Sequence, residues 1–371
     1  MTAIVTDVHY RMSLAIIRDL ADNGIRTVVC EYDEFPCPVG FYSSKISAHY
    51  TLNSGNKSDA LLKLCGKIYR ESGEKPVLFP VGAKTLELVS INSKKFAEVS
   101  YFLIPSPYQF DLFNDKSRVA AIAKDMDIAI PREYKLSDSF SFPVVVKPTC
   151  GEKAGLSAAD RYVIAENSEE LEQAYSRFEN ITEDLPVIQE YLTGGGAGCS
   201  VLCRDGEILA HICHRRVREY PVSGGPSSCC EKIMSPSLLP SVRKMVSETK
   251  YSGIAMFEFK KDSNGEYRLL EVNPRVWGTY PLTRACGSNF TYLWFLAAAG
   301  ADLPEYSGGT HVKMAYYPSD LAAALCYLKH GKLRKFLSAI SDFADPRVKN
   351  GLSERGDRRP YRMYLKSLFK R

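Results

Sequence analysis

The sequence predicts an α/β protein in three parts: a parallel sheet with helices on its faces, a mixed region of hairpins and helices, and a mostly helical end. Three observations predict it. Strand-like apolar runs alternate with amphipathic helical stretches up to about residue 110. Two hairpins follow, turned at Asp205-Gly206 and Asn264-Gly265. From Gly308 the apolar spacing turns helical, with a break near 345–357. A chain of 371 residues fits two or three domains at roughly 100–200 residues each.

The first part reads in order. TAIVTD is a buried strand. SLAIIRDLADNG is a helix with Leu14, Ile17 and Leu20 on one face and Gly24 as its stop. IRTVVCEYD is a second strand, 57–72 a helix, PVLFPVG a third strand, 83–91 a helix and YFLIPSP a fourth strand. Such a sheet takes ligands at the carboxyl ends of its strands. VTDVHYRMS follows the first strand where a dinucleotide site would carry GxGxxG, so a dinucleotide site is not expected. In the second part, 116–126 is helical and IAIPREY extended. FPVVVKPTCGEKAG is a strand entering a glycine-bearing loop, and 171–178 is a helix. PVIQEYLTGGGAG is a strand ending in glycines. REYPVSGGPSSCCE reads as a long irregular loop, and 238–249 as a helix.

Composition excludes several classes. With 45% hydrophobic and 25% charged residues, wholesale disorder, collagen and coiled coil are out. Eleven cysteines without a CxxC pair point to reduced thiols in a cytoplasmic protein, with no disulfide frame. No apolar stretch reaches 18 residues and no leader pattern opens the chain, so no membrane partner is expected. The net charge of +5 names no partner, and no nucleic-acid partner is expected. From 329 to 371, however, 13 Lys and Arg stand against 4 Asp and Glu. The basic, amphipathic stretch RRPYRMYLKSLFKR is expected to dock its apolar side on the second part of the chain.

The residues that carry chemistry lie in the second part. Glu258 and Glu271 fall on strands that the Asn264-Gly265 turn pairs, and Asn273 shares the face of Glu271. Two carboxylates and an amide make an all-oxygen cluster that suits Mg²⁺ with substrate phosphates. By spacing alone, the same pattern also fits two surface glutamates on an edge hairpin. Lys147 ends the apolar strand VVV beside the loop holding Gly151 and Gly155, an arrangement that grips phosphate through an ammonium and exposed N–H groups. Lys116 opens a helix and also fits an ordinary surface lysine. Arg275 follows Asn273 and Pro274 and suits bidentate binding of phosphate or carboxylate. His214, Arg215, Arg216 and Arg218 make a basic strand, with Arg216 the preferred carboxylate binder. His211 and Cys213 share one face of that strand while His214 lies on the other, which rules against zinc.

Taken in order, Lys116, Lys147 and its loop, VIQEYL, Glu258 and LEVNPR resemble the ATP-grasp superfamily over about residues 1–305. HRRVREYPVSGGPS resembles the carboxylate–amine ligases often labelled carbamoyl-phosphate-synthetase-like. The resemblance implies an ATP-grasp fold, two α+β subdomains gripping ATP, at 111–305, with a lid subdomain at about 116–190. A Rossmann-like domain at 1–110 precedes it, and a basic, mostly helical extension at 306–371 follows. It implies ATP and Mg²⁺ as cofactors, with Mn²⁺ as an alternative. Lys116 and Lys147 then meet the ATP phosphates, and the loop with Gly151 and Gly155 closes over them. Gln189, Glu190, Tyr191 and Leu192 form the hinge that reads adenine. Glu258, Glu271 and Asn273 hold the metal, and Arg275 and Arg216 serve catalysis. Many relatives carry a ribose-binding acid after the hinge; TGGGAGCS has none.

The implied reaction joins a small carboxylate to an amine through an acyl phosphate, releasing ADP and phosphate. A homodimer is the expected assembly. Two other readings stay open: an enzyme acting on bicarbonate and ammonia, and a nucleotide-binding protein without turnover. Full carbamoyl phosphate synthetase duplicates this unit and is far longer. Biotin-dependent carboxylases carry a polar residue two positions after the arginine, where Trp277 stands here. A bulky indole beside the acyl site is expected to favour an organic acid over bicarbonate.

Overall fold

The structure, a computed structural model, describes residues 1–148, 156, 160, 162–181, 185–222 and 225–368. Its strands form three sheets that follow one another along the chain.

The first sheet is parallel, with strands β1 (Thr2–Val5), β2 (Arg26–Tyr32), β3 (Ala48–Leu52) and β4 (Val77–Phe79) in the order β3-β2-β1-β4. Its helices sit where the sequence places them. The helix Lys57–Ser72 starts where the Asn56 side chain accepts the Asp59 N–H and stops at Gly73, whose φ of 73° lets its N–H reach the Tyr69 carbonyl at 2.9 Å. One expectation is corrected. YFLIPSP is not the fourth strand, because it makes only a single bridge, Tyr101 to Val77. Pro105 and Pro107 have no N–H to continue a ladder. The remaining strand is β3, an edge strand that alternates between part-exposed and exposed positions and so lacks an apolar run.

The second sheet is small and antiparallel: β5 (Glu133–Tyr134), β6 (Val144–Lys147), β7 (Val163–Ala165) and β8 (Val187–Glu190), in the order β5-β8-β6-β7. The helix Ser168–Glu179 covers one face, packing Leu171, Ala174 and Phe178 on Val144, Val146 and Ile188. Strand alternation then turns Val145 and Lys147 to the other face.

The third sheet has seven strands: β9 (Gly196–Arg204), β10 (Glu207–Glu219), β11 (Ser227–Ile233), β12 (Gly253–Lys261), β13 (Tyr267–Asn273), β14 (Lys313–Ala315) and β15 (Lys349–Asn350). Their order is β13-β12-β9-β10-β11-β14-β15. The β9–β10 turn has positive φ at both Asp205 (49°) and Gly206 (87°), the requirement of a two-residue hairpin that matches strand twist. The expected long loop at 219–228 is shorter, since Ser227 already pairs with Glu219. One face of the sheet buries Cys199, Val201, Phe257 and Phe259 against the helix Leu239–Glu248. The other shares a core with the first sheet through the helix Phe290–Ala299, which is apolar nearly all round. There Trp294 meets Phe79 edge-on at 4.6 Å and donates to the Leu103 carbonyl at 3.1 Å.

Residues beyond 306 are woven in. β14 and β15 complete the third sheet, and the helices Ser319–Lys329 and Leu333–Ala344 supply Asp320 and Asp342 to the buried Arg218. The last helix, Arg359–Leu368, docks as expected but elsewhere than expected. It packs on the turn Val39–Tyr42 of the first part, with Tyr361 and Tyr364 against the core. Asp357 fixes the approach by accepting from Arg18, Ser43 and Ser44, each at 2.8 Å.

Candidate active site

The second and third sheets face each other across a cleft of about 740 Å³. Its two walls present most of the residues singled out in the sequence. Gly151 and Gly155 lie outside the described residues.

On the third sheet, the hairpin register sets Glu258 directly opposite Glu271, and Met256 opposite Asn273. The Asn273 amide lies 3.3 Å from Glu271 and 3.5 Å from Glu258. Both carboxylates already have cations. Lys116, at the start of the helix Lys116–Asp125, reaches Glu271 at 2.7 Å. The Asp115 side chain accepts from Ser117 and Arg118 N–H groups and sets that helix start. Arg216 reaches Glu258 at 2.5 Å and Glu219 at 3.2 Å. The pairing splits the two acids. Burial alone pushes Glu271 up, but Lys116, Lys147 and the Asn273 amide take it well below the carboxylate range. Burial and the nearby Glu271 outweigh Arg216 at Glu258 and leave its pKa raised. Among the described residues no three His, Cys, Asp or Glu side chains converge as a metal cage. The oxygen set is two carboxylates and one amide, and its hard donors fit Mg²⁺ in a site finished by substrate phosphates.

Arg216 reaches Glu258 across a strand, because β9 lies between β10 and β12. The glycines of TGGGAG make the passage. A Cβ on Gly196 would sit 3.2 Å from the Arg216 side chain, and one on Gly198 would sit 2.4 Å from the His214 ring. The glycine cluster that lacks a ribose acid is therefore clearance for two side chains. His214 is buried and 3.2 Å from the Thr279 hydroxyl. Burial and Arg216 lower it to about 3, so it stays neutral.

On the second sheet, Lys147 is 8% exposed and has no carboxylate within ion-pair reach among the described residues. Burial, with Lys116 adding repulsion, lowers its ammonium to about 7. Glu190 and Arg132 exchange bonds at the end of β8, and the Gln189 amide donates to Glu133 at 3.1 Å. Tyr191 and the buried Leu192 follow at the rim of the cleft.

The other basic residues separate. Arg275 faces the cleft and donates to the Val276 carbonyl at 3.1 Å. Arg218 is held by Asp320 and Asp342 at 2.7–2.9 Å and anchors the C-terminal helices. Arg215 pairs with Glu231 on the opposite face. Trp277 corrects an expectation. It is 1% exposed and packs edge-on with Tyr280 (4.9 Å) and Phe290 (5.9 Å), so the core uses its bulk and the step from that bulk to a large acid fails. Sequence reasoning missed Lys260, which lies 5.0 Å from the Tyr191 ring and is lowered by burial. Its place two residues beyond Glu258 was the available signal. It also missed Arg11, which lines the cleft. The ten described cysteines are all free, and no described helix is long and apolar enough to cross a membrane.

Comparison with known proteins gives this geometry its class. A family model described as ATP-grasp in the biosynthetic pathway with Ter operon matches residues 183–316. No curated protein matches the chain. A biotin carboxylase–β,γ-ATP complex from Campylobacter jejuni is 17% identical with a TM-score of 0.64, over 84% of this chain and 74% of that one. The biotin carboxylase domain of Hydrogenobacter thermophilus 2-oxoglutarate carboxylase, with MgADP, ADP and bicarbonate, is 16% identical with a TM-score of 0.64, over 84% and 72%. An L-amino acid ligase from Bacillus licheniformis is 15% identical with a TM-score of 0.57, over 80% and 74%. The likeness to the solved structures is one of fold. The chain has the ATP-grasp fold, preceded by a parallel sheet and followed by a largely helical C-terminal part.

Proposed function

We propose that the protein is an ATP-dependent ligase that joins a carboxylate to an amine through an acyl phosphate, releasing ADP and phosphate. The reading rests on one observation: Glu258 and Glu271 face each other across β12 and β13, and Lys116, Lys147, Arg216 and Arg275 surround or overlook them in one cleft. Phosphoryl transfer needs positioning and charge neutralisation more than covalent help from the protein. Glu258, Glu271 and Asn273 are the residues that would hold Mg²⁺, or Mn²⁺ in its place, and the ion would supply charge neutralisation between phosphates.

The chain's own residues do the rest. Lys116 and Lys147 take nucleotide phosphates, and Lys147 gains its full charge as it does so. Residues 189–192 line the adenine end. Arg275 steadies the transferred phosphoryl group, and Arg216 orients Glu258. The loop with Gly151 and Gly155 closes over the phosphates and keeps water from the acyl phosphate. The division at 110 and 305 belongs to the same reading, with the first and last parts shaping substrate choice. The test is phosphate release from ATP over a panel of acid and amine pairs, with product masses. Acid- and amine-dependent release with a condensed product is expected. ATP binding without turnover of any pair would sink the ligase reading. The fold shared with biotin carboxylases favours bicarbonate as the second reading. Bicarbonate-dependent release with ammonia alone would select it.

A further inference from the structure

We infer that Arg11, carried by the first sheet, binds a carboxylate of the substrate other than the one being activated, so that one of the two molecules joined bears a second anionic group. This rests on the ligase reading and adds the substrate class to it.

Position comes first. The order of residues along the cleft runs from Tyr191 at the adenine end to Lys260, 5.0 Å from its ring. Two residues along β12 stands Glu258 opposite Glu271, and two further stands Met256 opposite Asn273. The chain after Asn273 leads through Arg275 to Gly278, whose carbonyl accepts the Tyr316 hydroxyl at 2.7 Å. The Arg11 guanidinium lies 4.0 Å over that same Tyr316 ring and lines the cleft. From Lys260 to Met256 is already about 13 Å of strand. Arg11 thus lies past the acidic pair, on the side away from the nucleotide, where a reacting acid or amine has to sit.

Charge comes next. Arg18, Arg216, Arg218 and Arg284 are each matched to carboxylates. Arg11 is part-buried and has no ion pair among the described residues. The buried Tyr316 ring holds the guanidinium by a cation–π contact at the cleft lining. A guanidinium so placed matches a carboxylate with two parallel bonds.

Its base is rigid. The loop after β1 turns at Asp7 (φ 52°), whose carboxylate accepts from Gly82 N–H at 2.9 Å and from the Thr85 hydroxyl at 2.6 Å. Tyr10 N–H donates to the Asp7 carbonyl, Gly40 N–H to that of Val8, and the Ser13 hydroxyl to that of Tyr10. This loop sits at the carboxyl end of β1, where open α/β sheets place ligands. An arginine that only soaked in solvent would need none of this bracing.

The test uses the full chain and the same panel, in which every second carboxylate has a carboxamide counterpart. One arm places it on the acid (succinate against succinamate, with methylamine). The other places it on the amine (alanine against alaninamide, with acetate). The pairs that turn over best are expected to carry the second carboxylate in one arm, which identifies its source. Arg11→Met should raise KM for that substrate about 10- to 100-fold and leave the KM for ATP unchanged. Arg11→Lys should recover part of the loss, which a purely structural role would not predict. An unchanged KM in Arg11→Met, an equal loss for acid and amide, or a best pair with no second anion overturns the subsite. Should no pair turn over, the ligase reading falls separately. Calorimetric titration of the ATP-loaded protein with succinate and alanine then decides Arg11: no binding, or equal binding by Arg11→Met, overturns it.

Discussion

The two walls of the cleft treat buried charge in opposite ways. On the third sheet the acidic pair and the buried arginine are matched within the protein: Glu258 with Arg216, Glu271 with Lys116, Arg218 with Asp320 and Asp342. On the second sheet, Lys147 sits buried at the end of a valine strand with no carboxylate within ion-pair reach among the described residues. Before a ligand enters, the matched wall meets its desolvation cost internally. The unmatched wall is completed by whatever anion enters. A site that must grip a polyanion and release it uses both, one to set positions and one to sense arrival.

The comparison can be broken most severely at Arg218. Arg218→Met leaves Asp320 without its cation and Asp342 with Lys313 alone. Breaking one partner out of a buried pair costs about 3–5 kcal/mol, so the folding free energy should drop by that amount in denaturant titrations. A loss under about 1 kcal/mol would mean the matched wall is not held by its pairs. Next is Glu271→Gln, which keeps shape and removes charge. It should lower Mg²⁺-dependent ATP turnover about 10²–10³-fold. Unchanged turnover would remove Glu271 from the metal set.

The smallest effect sharpens the contrast. With Lys147 near 7, its ammonium is largely present at pH 6 and largely lost at pH 8. ATP affinity in calorimetry should therefore fall about tenfold between those values, and Lys147→Met should lose that part of the dependence. The same shift bears on stability with a definite sign. The folded value lies below the ordinary 10.5, so the unfolded chain binds more protons between about 7 and 10.5. The cost is full below 7 and is relieved as pH rises through that window.

Much of this was legible because local rules sufficed. The Asn264-Gly265 turn pairs the two strands, although a bulge at Glu258/Phe259 completes the register that sets Glu258 opposite Glu271, and the helix Lys57–Ser72 carries its own cap and stop. The unread parts depend on partners distant in sequence. β3 was hidden because an edge strand alternates and shows no apolar run. β11 was hidden because Ser227, Ser228, Cys229 and Cys230 look like loop, although the two cysteines are fully buried. YFLIPSP looked like a strand by composition, yet its prolines leave it one bridge. In the site, residue types and order were readable, whereas the matching of Arg216 to Glu258 depends on strand order across β9. Trp277 does line the cleft, but its neighbours Tyr280 and Phe290 take its bulk into the core, so its size says little about the acid.

The link between Arg18 and Asp357 sets a schedule for the chain during synthesis. The two partners are 339 residues apart, so the first helix leaves the ribosome long before its counter-charge exists. At about 5–20 residues per second the wait is on the order of 20–70 seconds. Through it the first sheet can fold, but its arginine must stay hydrated and the seat for the last helix must stay open. The final residues then close a structure whose opening residues were ready first, and a nascent chain stalled before residue 357 should remain sensitive to protease at the Ser13–Asp22 helix.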